Sequence, residues 1–157
     1  MQKLFLTFFY TGLIKPAPGT WGSIAGAIVG VVILKFLTIE TLFLLSIVLA
    51  LISINIINAY EKKVGIHDSS IIVIDEVVGI WIALSISAHS YLAILLSLIF
   101  FRLFDIYKPS IIGRIDRDVP GGLGVVLDDV VAGAFGGLLS LMCIGAMMKF
   151  GLDSYIF

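Results

Sequence analysis

Along this chain, apolar residues fall in long blocks separated by short polar intervals, and most blocks approach the length that a bilayer requires. A helix needs about 20 predominantly apolar residues to cross the hydrocarbon, fewer if its ends snorkel. Such blocks run from Trp21 to about Leu37, from Thr41 to about Ile57, from Ile71 to Ala88 and from Leu123 to about Met148. A shorter one spans Tyr91 to Phe104 and contains Arg102 near its end. Ahead of them, Lys3 to Ile14 carries Leu4, Phe5, Phe8, Phe9 and Leu13, which suits a short helix lying in the interface. There is no internal repeat, low-complexity tract or linker. The pattern predicts an all-α, polytopic integral membrane helical bundle: about five membrane-embedded helices plus a short N-terminal interfacial helix, in a single domain over residues 1–157.

Composition strengthens this reading. The chain is 60% hydrophobic and 13% charged, with a mean hydropathy of +1.15, whereas a soluble domain carries roughly 25% charge. One water-soluble core of this size cannot hide so much apolar surface, and a bilayer can solvate it. The net charge of −1 gives no global field for nucleic acid. Cys143 is the single cysteine and sits in an apolar run, so it cannot form an internal disulfide and reads as a small core residue. No small-residue cleavage site follows Lys3 cleanly and hydrophobic blocks continue afterwards, so the N-terminal segment reads as retained.

Charge placement then orients the bundle. With five crossings, the N-terminus, the 58–70 loop and the 105–122 loop share one side. Lys3, Lys15, Lys62, Lys63, Arg102, Lys108, Arg114 and Arg117 fall on or near that side, while Lys35 and Lys149 fall on the other. The positive-inside rule makes the crowded side cytoplasmic. The same topology sorts the acids, which the rule did not demand. Asp68, Asp75, Glu76, Asp105, Asp116, Asp118, Asp128 and Asp129 all land there with Glu61 nearby, and Glu40 and Asp153 are the exceptions.

Solvation of a polar loop accounts for Glu61 and Asp118. It does not account for Asp75-Glu76 and Asp128-Asp129, each about one turn inside an apolar helix. A charge there costs several kcal/mol unless it is paired or metal-bound. Small residues follow both pairs: Gly79 after the first, and Ala132, Gly133, Gly136 and Gly137 after the second. That small-xxx-small pattern permits close helix approach, which would gather the carboxylates near the cytoplasmic interface. An all-oxygen cluster suits Mg²⁺ or Mn²⁺, and His67 and His89 are too few and scattered for zinc.

Basic groups surround the acids. Arg102, Lys108, Arg114 and Arg117 can pair with phosphate. The Pro-Gly-Gly-Leu-Gly run at 120–124 leads into the last helix, and Gly121, Gly122 and Gly124 can turn backbone N–H groups towards an anion; a loop that merely needs to turn explains them equally well. Carboxylates for a metal with cations for phosphate equip a site for metal-assisted phosphoryl chemistry. At the first spanning block, Thr20 suits an N-cap and Trp21 an interfacial anchor, a structural role that suffices for PGTWGS (18–23).

In order, the motifs are PGTWGS (18–23), HDSSIIVIDEVVGIW (67–81), FRLFDIYKP (101–109) and DRDVPGGLGVVLDDVVAG (116–133). This ordered set resembles bacterial phosphatidylglycerophosphatase A, over about Gly12 to Gly137. The resemblance implies a Mg²⁺-dependent enzyme of the bacterial cytoplasmic (inner) membrane, its site facing the cytoplasm. Its partner would be a membrane phospholipid: it would remove the terminal phosphate of phosphatidylglycerol phosphate to give phosphatidylglycerol, a precursor of cardiolipin. Asp75, Glu76, Asp128 and Asp129 carry over as the core acids, His67-Asp68 from the second motif, and Asp105, Lys108 and Asp116 from the third and fourth. The chain departs from the family in lacking a second proline after Lys108-Pro109, where Ser110-Ile111-Ile112 stands.

The expected mechanism has Mg²⁺ held by some of Asp75, Glu76, Asp128 and Asp129, activating a water for attack on phosphorus. Arg102, Lys108 and Arg114 balance charge on the transferred group. Asp105 or Asp116 serves as nucleophile or orients the water, and His67 either protonates the leaving alkoxide or bonds to Asp68. The alternatives are a divalent-cation or phosphate transporter, a phosphatidyltransferase, and a phosphatase for another lipid such as phosphatidic acid. A transporter needs ionisable groups at several depths, which the outer halves of these helices lack, and no Asp-Gly-x-x-Ala-Arg transferase motif occurs. Oligomeric state is not legible.

Overall fold

A computed structural model describes residues 2–66 and 69–152. Among them every regular element is helical: α1 (Gln2–Leu6), a 3₁₀ turn (Thr11–Leu13), α2 (Pro18–Phe36), α3 (Ile39–Val64), α4 (Ile74–Ser87), α5 (Tyr91–Tyr107), α6 (Ile111–Asp118) and α7 (Gly121–Lys149).

Capping chemistry explains most of the boundaries. Thr38 accepts a hydrogen bond from the Thr41 N–H at 3.4 Å and starts α3; Lys62 and Lys63 in the last turn suit the negative end of its dipole, and Gly65 stops it at φ 72°. Ser90 accepts from the Ala93 N–H at 3.2 Å and starts α5. The start of α7 has no cap of its own. Asn58 on α3 supplies one, its Oδ1 accepting from the Gly122 N–H at 2.8 Å. α2 begins at Pro18, earlier than Thr20 suggested: proline fits the first helical position because its missing N–H would have no partner there.

Among the described residues, three helices are long and apolar enough to cross a membrane: Pro18–Phe36, Ile39–Val64 and Gly121–Lys149. Five crossings were expected. The other two, α4 and α5, have 14 and 17 residues, or about 21 and 26 Å of helix. α4 is short because it lies inside the bundle. Only Glu76, Ser85 and Ile86 of its 14 residues escape full burial, and it touches α2, α3, α5 and α7. The long helices instead show apolar side chains outward, such as Ile28, Leu44, Leu51 and Met142.

Close backbone approach holds α4 in place. A Cβ on Gly133 of α7 would collide with the Gly79 carbonyl oxygen of α4, so only glycine allows this crossing. On the opposite side the Trp81 indole donates to the Gly26 carbonyl of α2 at 2.8 Å. Deeper in the bundle Ser87 and Ser97 share a hydrogen bond, and the Ser140 hydroxyl donates to the Ala93 carbonyl at 3.0 Å, tying α5 to α4 and α7.

The N-terminal segment departs from the single interfacial helix expected over 3–14. Phe8, Phe9 and Tyr10 all have positive φ (39°, 55° and 68°), so α1 ends in a turn. The Leu6 carbonyl accepts from the Val73 N–H at 2.9 Å, which draws this segment onto the entry to α4. Phe9 and Tyr10 remain exposed.

Candidate active site

The charged ends of α4, α5 and α7 meet because of those glycine contacts. α4 carries Asp75 and Glu76 in its first turn, α7 carries Asp128 and Asp129, and α5 ends with Arg102 and Asp105 before Lys108 takes the left-handed C-cap at φ 42°. Together they line a cavity of about 310 Å³. Ala17, Pro18 and Gly19 at the start of α2 form one wall, with Ser70, Ile72 and Val125 completing it.

Inside the cavity the acids divide. Asp75, Glu76 and Asp129 each bring one carboxylate oxygen to within 4.8 Å of the others. Asp75 and Asp129 are 6% and 3% exposed. Among the described residues, the buried Glu76 Oε2 and Asp129 Oδ1 have no hydrogen-bond partner. A buried carboxylate oxygen without a partner is costly, and three acids this close repel one another. A hard divalent cation answers both demands, and an all-oxygen donor set is the kind that Mg²⁺ accepts.

Asp128 does otherwise. Its Oδ2 receives the Lys108 ammonium at 2.7 Å, and Lys108 also pairs with Asp116 of α6. Burial pushes the lysine pKa down, but the hydrogen bonds and charges of Asp116 and Asp128 outweigh it and hold the group above its ordinary value. Arg102 pairs with Asp105, lies 3.9 Å from Glu76 Oε1 and donates to Ser23 Oγ at 3.4 Å. Its buried Nε has no partner among the described residues.

Of the residues singled out from sequence, Asp75, Glu76, Arg102, Asp105, Lys108, Asp128 and Asp129 line the cavity. Asp116 is not among its lining residues and reaches it through Lys108. Arg114 is exposed on α6 and is absent from the lining. Gly121, Gly122 and Gly124 are also absent from the lining; they meet Asn58, Ile54 and Val119, so close packing against α3 and the preceding turn accounts for them. His67 and Asp68 lie outside the described residues. The contribution of α2 was missed. Gly19 presses so closely on the Glu76 carboxylate that a Cβ there would strike it, so the PGTWGS turn is part of the site's wall; its opening proline and glycine were the signal.

A buried acidic cluster with adjoining cations on a lipid-embedded scaffold is what the ordered motifs led us to expect, and sequence comparison decides the family. The profile of the family described as Phosphatidylglycerophosphatase A matches residues 4–144. The chain belongs to this family. It is 39% identical over 128 residues to the Haemophilus influenzae Phosphatidylglycerophosphatase A, covering 81% of this chain and 78% of that one. It is 35% identical over 126 residues to the Escherichia coli protein of the same name, covering 80% and 73%. A Bacteroides thetaiotaomicron protein provisionally named a phosphatidylinositol-3-phosphatase is 31% identical over 146 residues, covering 88% and 91%. No solved structure matches the chain. Membership makes it a phosphatase.

Proposed function

We propose that the chain is a single membrane-embedded domain, with five helices in the bilayer, that hydrolyses the terminal phosphomonoester of phosphatidylglycerol phosphate. The products are phosphatidylglycerol and inorganic phosphate, in glycerophospholipid biosynthesis, and the site faces the cytoplasm from the bacterial inner membrane. The observation that carries the reading is the acidic cluster with two orphaned carboxylate oxygens beside the partly unpaired guanidinium of Arg102.

Mg²⁺ fits Asp75, Glu76 and Asp129, and when bound there it supplies charge neutralisation and Lewis acidity at a phosphoryl oxygen. The chain's own groups do the rest. Arg102 has unused donor capacity at Nε and faces the cavity, so it binds a non-bridging phosphate oxygen. Lys108 keeps its proton and adds a second positive charge to the lining, where Asp128 and Asp116 fix its ammonium. Asp105 lines the same space; once the phosphate engages Arg102, its carboxylate is free to accept a proton from the attacking water or to attack phosphorus itself. Asp116, outside the lining, positions Lys108.

Any lipid phosphomonoester offers these groups the same anion, and the Bacteroides thetaiotaomicron relative carries the name of an inositol-lipid phosphatase. Phosphatidylglycerol phosphate, phosphatidic acid and phosphatidylinositol 3-phosphate therefore belong in one assay of the purified protein in detergent, first with Mg²⁺ and then with EDTA. Fastest release from phosphatidylglycerol phosphate, abolished by EDTA, is expected. Faster release from another lipid overturns the substrate, and Mg²⁺-independent release overturns the metal.

A further inference from the structure

The polar cavity takes a phosphate, but a lipid also brings acyl chains, and one apolar groove is placed to receive one. It runs between α2 and α5, has a volume of about 300 Å³, and is lined by Ala27, Ile28 and Val31 on α2 with Ile94 and Leu98 on α5. These two helices also hold the cavity's rim: Gly19 lies in the first turn of α2, and Arg102 lies near the end of α5.

Helical spacing makes the two spaces successive. Arg102 donates to Ser23 Oγ across the α2–α5 seam at 3.4 Å. Ala27 lies four residues after Ser23 and Leu98 four before Arg102, so each sits on the same face as its charged or polar neighbour, one turn further from the cavity. Ile24 to Val32 extends this wall, giving about 12 Å of apolar surface along the helix axis. Ala27 is 6% exposed and forms a narrow, small-residue point, while Ile28 is 61% exposed and leaves the groove open sideways.

A second apolar cavity, near Phe5, Phe8, Leu49 and Trp81, differs in this respect. It lies on the Ile74 side of α4, and Asp75 and Glu76 lead off that helix in other directions, about 100° and 200° round the axis. Neither α2 nor α5, the two rim helices, lines it.

We propose that the α2–α5 groove is the subsite for an acyl chain of the phosphorylated lipid, with the phosphate anchored at Arg102 and the chain laid along Ala27, Val31, Ile94 and Leu98. This rests on the phosphatase reading above. The occupant is a single chain of at least about eight carbons in line with the head group, entering from the bilayer through the open side at Ile28.

The test uses the full-length protein in detergent and two probes, dioleoyl and dibutanoyl phosphatidylglycerol phosphate, and compares kcat/KM for the two. Ala27→Phe narrows the groove, and Val31→Trp, at a half-buried position, is the second variant should the first not fold. The ratio of dioleoyl to dibutanoyl kcat/KM is expected to fall about tenfold in either variant, the effect of excluding roughly two methylenes. Leu49→Trp, in the other apolar cavity, leaves that ratio at the wild-type value. An equal loss on both probes, or no change in the ratio, overturns the subsite while the phosphatase reading stands. Wild-type protein that releases phosphate from neither probe overturns both.

Discussion

Asp128 and Asp129 are neighbours on one helix, equally buried, and they live in opposite circumstances. Asp128 faces a lysine that another acid also holds, and both of its oxygens have donors. Asp129 faces Asp75 and Glu76 and keeps an oxygen with no partner among the described residues. One corner of the cavity is electrostatically closed, and in the other three acids crowd together with Arg102 beside Glu76. The 100° between successive helical residues is enough to separate them. An acid pair in a membrane helix is therefore two different devices: one fixes a cation of the protein, and the other is suited to a cation from solution.

The contrast breaks most sharply at Asp129. Asp129→Asn removes a cluster oxygen's charge, and phosphate release should fall about 1,000-fold or more. Its unfolding midpoint in EDTA should equal or exceed that of wild type, because a repulsion has been relieved; a lower midpoint would show that the cluster stabilises the fold without metal.

Lys108→Met should do the reverse. It strands the buried Asp128 charge, at an expected loss of about 3 kcal/mol in stability, and Asp128→Asn added to it should restore most of that. Denaturation of the single and double variants checks this, and equal losses in both would remove the ion pair from the account. Next comes the scaffold that brings both corners together. Gly133→Ala drives a methyl into the Gly79 carbonyl, and about 2 kcal/mol of stability should go with it. Activity should fall too, since the acids of α4 and α7 are pushed apart.

Two smaller effects sharpen the comparison. The Lys108 pKa is raised in the folded protein, so the stability from its pairing is complete below the unfolded value of about 10.4 and is lost only as pH climbs through the folded one. Above about pH 10.4 wild type should therefore lose stability that Lys108→Met never had, and the two should converge as pH climbs, which denaturation at several alkaline pH values will read. Finally, Arg117 pairs with Asp118 at 2.9 Å on the exposed side of α6, and Arg117→Gln should leave both activity and midpoint unaltered, as expected of a screened surface pair.

Much of this was legible from residue order. The α3 and α7 blocks, the glycines that let α4 meet α7, and the acid pairs beyond them followed from the cost of charge and bulk inside a membrane. What was not legible depended on neighbours distant in sequence. Asp128 and Asp129 look alike until Lys108 is seen to cap α5 and turn towards one of them. The 120–124 glycines serve an anion or a tight contact equally well, and Asn58, 64 residues before Gly122, decides for contact. From residue order α6 reads as loop, because its eight residues mix Ile111, Ile112 and Ile115 with four charges. The 71–88 block looked long enough to span, yet helix begins only at Ile74, after the link that bonds to Leu6.

The central claim is that Asp75, Glu76 and Asp129 form a cation site while Asp128 does not belong to it. Thermal unfolding of purified wild type, Asp129→Asn and Arg117→Gln across a Mg²⁺ titration measures this without reference to turnover. Saturating Mg²⁺ should raise the midpoint of wild type and Arg117→Gln by about 5 °C or more and leave Asp129→Asn unmoved. An equal rise in all three proteins, or none in wild type, would contradict it.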